Sequence, residues 1–144
     1  MNGPPAPLVE ELSRLGYALM RLLLARAKET FTQEGLSLLQ AEVLRLVKEG
    51  IQVPSRIAEH LEVLPSQVSH LLASMEEAGL LRRQPDPEDR RRVLLRLTPK
   101  GEAVQKRLQE AWLRAYGQHL ARLSPEELNL FRNLLRKLTE VEGA

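Results

Sequence analysis

Between Arg82 and Lys100 lie seven cationic side chains, Arg82, Arg83, Arg90, Arg91, Arg92, Arg96 and Lys100, against three carboxylates, Asp86, Glu88 and Asp89. That segment carries +4 while the whole chain is only +2, so the remainder is −2. Three adjacent arginines repel one another unless an anion is expected there, and a focused positive field of this kind suits a polyphosphate backbone. A second polar set, Ser66, Gln67, Ser69, His70 and Ser74, is interleaved with the apolar Val68, Leu71, Leu72 and Met75 at helical spacing. Hydroxyls and an amide without bulky charge can offer donors and acceptors to base edges in a major groove. Taken singly, each set has a plainer reading, a solvated hairpin tip and an ordinary polar helix face. Side by side they favour nucleic acid.

Other chemistries find little support. The histidines, His60, His70 and His119, fall on three different expected helices, and no Gly-rich phosphate loop, nucleophile elbow or metal-ligand cluster is present. No catalytic residue, metal or cofactor is expected. The chain has no cysteine, which excludes disulfides, thiolate zinc sites and iron–sulfur clusters. Two aromatic pairs are candidates for a ligand site. Tyr17 and Arg21 stand one turn apart, as do Trp112 and Tyr116. Aromatics beside a cation can clamp an aromatic carboxylate. Packing in a core or between subunits is the alternative for both pairs.

The elements that must position these residues are mostly helical. In 144 residues, 43% are hydrophobic, 28% charged and 3% aromatic, and about a fifth are leucine, a composition that builds an aliphatic helical core. Met1–Pro7 lacks the basic flank and apolar core of a signal peptide and reads as a short frayed arm over residues 1–7. A helix over 8–34 carries two apolar stripes, Leu8, Leu12, Leu15, Leu19, Leu22 and Leu23 on one, and Met20, Leu24, Ala27 and Phe31 on the other. Two stripes require cover from two sides, and a second subunit supplies one of them. Arg21 and Arg26 interrupt the most apolar stretch, so no membrane span is expected and the protein is placed in the cytoplasm.

A second helix is expected from Ser37 to Lys48, with Leu39, Val43, Leu46 and Val47 inward, and a short one over Ser55–Leu61. Pro65 opens the helix that carries the second polar set, and Gly79 ends it. Leu80–Gln84 and Arg92–Leu97 read as strands joined by the turn-forming run Pro85-Asp86-Pro87-Glu88-Asp89. A hairpin directly after a helix-turn-helix is a wing. Thr98 and Pro99 start a long helix to Leu123 marked by Leu108, Trp112, Leu113, Tyr116 and Leu120, and Ser124-Pro125-Glu126-Glu127 starts a last one through Val141. The fold expected is mainly α with a small β-hairpin wing. It divides into the arm, the 8–34 dimerisation helix, a winged helix-turn-helix lobe over 36–98, and C-terminal dimerisation helices over 99–142.

Against this frame one resemblance is specific. Ile57-Ala58-Glu59-His60-Leu61, Val68-Ser69-His70-Leu71-Leu72, Glu77-Ala78-Gly79-Leu80-Leu81-Arg82-Arg83, Asp86-Pro87-Glu88-Asp89-Arg90-Arg91 and Leu97-Thr98-Pro99-Lys100-Gly101 together resemble the MarR family of winged-helix transcriptional regulators. The resemblance implies that Arg91 enters the minor groove and that Asp89 orients it. It also implies a homodimer built from the first helix and the last two, and a response to small aromatic or amphipathic ligands. Two residues depart from the family pattern. His70 stands where many relatives carry Arg, and Leu64 where a Ser or Thr usually caps the recognition helix.

The reading is a dimeric, sequence-specific, double-stranded DNA-binding regulator, a ligand-responsive repressor with a near-palindromic site. Ser66, Gln67, Ser69, His70 and Ser74 would face the major groove, with Arg90 and Arg91 at the wing and Arg83 and Arg92 on phosphates. Tyr17, Arg21, Trp112 and Tyr116 are the candidate ligand residues. The alternatives are an architectural, sequence-indifferent DNA-binding dimer and a winged-helix protein–protein module.

Overall fold

Proline opens five of the six helices formed by the described residues, at the first or second helical position. There its missing N–H removes no hydrogen bond and its fixed φ already suits the helix. The computed structural model describes residues 2–140. The elements run α1 (Ala6–Gln33), α2 (Leu38–Lys48), α3 (Pro54–Leu61), α4 (Pro65–Glu77), β1 (Leu81–Pro85), β2 (Val93–Leu97), α5 (Pro99–Leu120) and α6 (Pro125–Thr139). This is the mainly α, winged helix-turn-helix architecture that the sequence predicts.

Several boundaries move. α1 begins at Ala6 rather than Leu8, because Pro7 is tolerated at its second position, so residues 6 and 7 of the expected arm are helical. Met1 lies outside the described residues. The first strand shifts by one residue, the second begins one residue later and keeps its end at Leu97, and α5 stops at Leu120 instead of Leu123. The expected end of the last helix at Val141, and residue 142 that closed the last expected segment, also lie outside the described residues.

One aliphatic core holds the winged lobe together. Val43, Leu44, Leu46 and Val47 of α2 meet Ile57 of α3, Val68, Leu72 and Met75 of α4, Leu81 and Leu95 of the hairpin, and Val104 and Leu108 of α5. Leu39, expected inward, sits in the first turn of α2 and is exposed. Gln52 reaches the wing from the α2–α3 connection, its carbonyl accepting from the Leu95 N–H at 2.8 Å.

α1 and α5 run antiparallel along each other. Arg26 Nη1 donates to Gln118 Oε1 near one end, and Arg107 makes a two-pronged ion pair with Glu34 at the other. The face of α5 that is buried is built from small residues, Gly101, Ala111 and Ala115, with Val104, Gln105 and Leu108. Of the large markers expected from sequence, Leu108 alone is buried on it. Trp112 and Tyr116 are only half-buried and Leu113 is exposed. α6 buries none of its residues within the chain, and Leu138 on it is 81% exposed.

Candidate nucleic-acid interface

The α3–α4 turn is set by backbone geometry. Glu62 takes a left-handed conformation, φ 55, and the Val63 N–H returns to the Ala58 carbonyl at 3.2 Å, so α3 stops and the chain can turn. α4 then starts with Leu64 at the N-cap, a side chain with no acceptor. The missing cap is half replaced, because Gln67 Oε1 accepts from the Leu64 N–H at 3.1 Å. Gln67 therefore has one lone pair of its carbonyl oxygen engaged, while its NH₂ remains able to donate outward.

Val68, Leu72 and Met75 anchor one face of α4 in the core. Ser66, Gln67, Ser69, His70 and Ser74 are all exposed on the other. The Ser74 hydroxyl donates to the Leu71 carbonyl at 2.7 Å, which leaves it an acceptor toward any partner. The N-terminal two turns of this face carry no formal charge. At the C-terminal end Glu76 is paired with Arg83.

The wing is held by carboxylates. Asp86, 8% exposed, accepts from the Glu88 N–H at 2.9 Å and lies 3.3 Å from Arg92 Nε. Its own N–H donates to the Arg92 carbonyl, and the Arg92 N–H donates to the Asp89 carbonyl, so the loop closes on itself. Asp89 Oδ1 accepts from the main-chain N–H of Arg91 at 3.1 Å. Arg90 and Arg91 project from this turn, exposed. The strand register places Arg82 directly opposite Arg96, a like-charge pair that an anion between them would stabilise. Among the described residues Arg82, Arg90, Arg91 and Arg96 make no ion pair, whereas Arg83 and Arg92 are each held by a carboxylate. Sequence reading counted Arg82 and Arg96 as charge without giving either a role. Only the register could reveal their pairing.

The base of the wing is tied to both neighbouring helices. Thr98 Oγ1 donates to the Gly79 carbonyl and accepts from the Gly101 N–H at 3.0 Å. Lys100 Nζ donates to the Ala78 carbonyl at 2.8 Å, satisfying the C-terminus of α4. At Gly101 the backbone runs so close to Leu80 that a Cβ would stand 2.1 Å from its carbonyl oxygen. The Leu97-Thr98-Pro99-Lys100-Gly101 run is thus a structural clamp, and it explains those residue types without invoking a ligand.

The four candidate ligand residues do not form one site. Arg21 lies over the Tyr17 ring at 5.9 Å, but Tyr17 is 71% exposed. Trp112 and Tyr116 meet edge to face with centroids 5.9 Å apart. Of the four, Trp112 alone lines a cleft of about 690 Å³ between α1, α2 and α5, and Arg21 lines a smaller neighbouring one. Tyr17 stands one turn N-terminal to Met20, the first α1 residue to line the larger cleft. At the edge of the larger cleft Arg45 is hydrogen-bonded to Glu42 and Glu49, which raises its pKa above the usual value, Glu42 contributing most. Among the described residues no group of three metal-ligating side chains is assembled, and no helix is long and apolar enough to cross a membrane.

Comparison with known proteins agrees with this geometry. A family model described as a winged helix DNA-binding domain matches residues 36–101. The transcriptional regulator HosA of Escherichia coli O111:H- is 35% identical over 101 residues, 69% of this chain and 74% of that protein. The HTH-type transcriptional repressor Rv2887 of Mycobacterium tuberculosis is 29% identical over 128 residues, 86% of this chain and 92% of that one. Its solved complex with p-aminosalicylic acid superposes with a TM-score of 0.70 at 25% identity, covering 90% of this chain and 98% of that one. A MarR family protein from Bacillus stearothermophilus superposes with a TM-score of 0.84 at 26% identity, over 94% of this chain and 96% of that one.

Proposed function

This chain belongs to the MarR family of winged-helix transcriptional regulators, and on that footing we propose that it is a homodimeric, ligand-responsive repressor that reads one specific double-stranded DNA site. The observation that carries this reading is the pairing of surfaces. An uncharged, exposed N-terminal face of α4 lies next to a wing whose tip arginines have no carboxylate partner among the described residues. Ser66, Gln67, Ser69, His70 and Ser74 enter the major groove with hydroxyl, amide and imidazole groups aimed at base edges. Arg91 inserts in the adjacent minor groove, where a permanent, weakly hydrated cation suits the narrow electronegative channel. Arg90, Arg82 and Arg96 neutralise phosphates. Arg83 and Arg92 also lie along the wing but reach the backbone only by sharing their charge with Glu76 and Asp86.

The dimer rests on apolar surface that one chain leaves uncovered. Leu8, Leu12 and Leu15 of α1 and Leu130, Leu134 and Leu138 of α6 are all exposed, on helices that bury little or nothing within the chain. Surfaces of that kind mark association sites, and a second copy offers the same stripes in return. Two-fold symmetry then implies a near-palindromic site with half-site centres about one helical turn apart. The cleft of about 690 Å³ is of the size that binds small molecules, and an aromatic or amphipathic ligand there weakens DNA binding by favouring another spacing of the two winged lobes. The mycobacterial relative with bound p-aminosalicylic acid supports a ligand response of this type. A cytoplasmic location follows from the proposed partner, DNA.

Selection of bound fragments from the source genome, followed by competition, tests the reading. A selected duplex should resist displacement by a hundredfold excess of random DNA, and light scattering should give a dimer at micromolar concentration. Equal displacement by random DNA would support a sequence-indifferent architectural protein instead. A stable monomer would refute the assembly.

A further inference from the structure

Two adjacent apolar residues, Val63 and Leu64, lead from α3 into α4, and the fold uses them differently. Val63 is half-buried and packs against the core cluster that also holds Val68 of α4. An apolar residue just before the N-cap, packed in this way, fixes how the chain enters a helix. Leu64 takes no part in that core. It is 64% exposed, and among the described residues of α3, the turn and α4 no other large hydrophobic side chain is exposed.

Leucine is a poor choice here on local grounds. At the N-cap of α4 its side chain accepts no hydrogen bond from the first turn, where a serine or threonine hydroxyl would stabilise the helix. The one capping bond present, from the Leu64 N–H to Gln67 Oε1, uses only the main chain of residue 64 and would form with other side chains there. Neither packing nor capping accounts for the isobutyl group. A lone exposed leucine elsewhere on a surface needs no explanation. This one stands at the end of α4 that leads into the groove, directly before Pro65 and the exposed Ser66 and Gln67.

The major groove offers such a side chain one apolar partner, the C5-methyl group of thymine. We propose that Leu64 is a specificity-determining residue, its side chain packed on one thymine methyl in each half-site of the operator. This rests on the reading of α4 as the helix that enters the major groove, and it adds an apolar contact to the polar set Ser66, Gln67, Ser69, His70 and Ser74. The lost cap and the exposed apolar surface of the free protein are then both offset only when DNA is bound.

Deoxyuridine scanning of a duplex selected from the source genome tests the assignment, because uracil lacks only that methyl and keeps every hydrogen-bonding group of thymine. With the parent protein, replacing one particular thymine in a half-site should weaken binding about fourfold by fluorescence anisotropy, the worth of one buried methyl group. With Leu64→Ala the same replacement should have almost no effect, which is the coupling a double-mutant cycle reads. Leu64→Ser gains a capping hydroxyl, so the free protein should melt at a higher temperature than the parent and yet bind the thymine-containing duplex more weakly. Opposite signs in stability and affinity separate a lost base contact from a damaged fold. A flat deoxyuridine profile with the parent, a profile unchanged in Leu64→Ala, or tighter operator binding by Leu64→Ser overturns the assignment and leaves sequence-specific recognition standing. Failure to select any duplex would remove that recognition and the assignment together.

Discussion

The Asp89 carboxylate holds the main-chain N–H of Arg91 at 3.1 Å, and it does so without touching the arginine's guanidinium. An aspartate that turns the backbone two residues on directs where the next side chain leaves the loop. Asp89→Ala should weaken operator binding about fivefold, the scale of one lost hydrogen bond. Asparagine can accept the same N–H, so Asp89→Asn should stay within about twofold of the parent or bind more tightly. If bulk charge governed binding, both variants would bind more tightly, and a fluorescence-anisotropy titration would reveal it.

Arg91 and Arg92 are neighbours with different expected effects. Arg91→Ala removes an unpaired cation and should cost about 1–3 kcal/mol of operator affinity, with the salt dependence flattened by about one counterion. Arg92 shares its charge with Asp86 at 3.3 Å. Its alanine variant should change the salt slope less than the Arg91 variant does. Equal changes in the two slopes, measured between low and moderate salt, would mean that Asp86 releases Arg92 to the DNA.

Gly101 should tolerate no side chain. A Cβ there would lie 2.1 Å from the Leu80 carbonyl oxygen, and the obstacle is backbone, which cannot swing aside. Gly101→Ala should lose about 1–3 kcal/mol of stability by urea denaturation, the range for forced overpacking. At Gly117, in the last turn of α5, where nothing lies within 4 Å of a Cβ, alanine should instead be neutral or stabilising.

Glu34 gives the acid limb of stability a specific cause. Its hydrogen bond from Arg107, reinforced by that cation's charge, holds its pKa below the usual 4.5. The stabilisation is fully present above 4.5 and is lost as pH falls through the lower folded value. Melting temperatures of the parent and Glu34→Gln should therefore differ at pH 7 and converge as the pH drops below 4.5. A gap that stayed constant to pH 3 would show that the pair contributes no linked stability.

Much of this was legible in sequence because local rules and tertiary structure agree. Prolines 54, 65, 99 and 125 mark helix starts that the structure keeps, and Val68, Leu72 and Met75 mark the buried face of α4. What sequence could not supply were relationships between distant positions. Ala111 and Ala115 look unremarkable, yet with Gly101 they help form the buried face of α5, and larger neighbours drew attention away from them. Asp86 reads as a turn former and proves to be a nearly buried partner of Arg92. Spacing within α1 and within α5 likewise pairs Tyr17 with Arg21 and Trp112 with Tyr116, as the structure does, but says nothing about how the two pairs stand to each other.

The Thr98, Lys100 and Gly101 contacts weld the end of α4, the root of the hairpin and the start of α5 into one body. Both surfaces offered to DNA must then travel together as a stiff lever whose arm is α5. Its 22 residues make an arm about 33 Å long. A tilt of about 10° over that length displaces the far end by roughly 6 Å, close to the width of a minor groove. On the proposed reading, a tilt of that size would take Arg91 out of register with a minor groove.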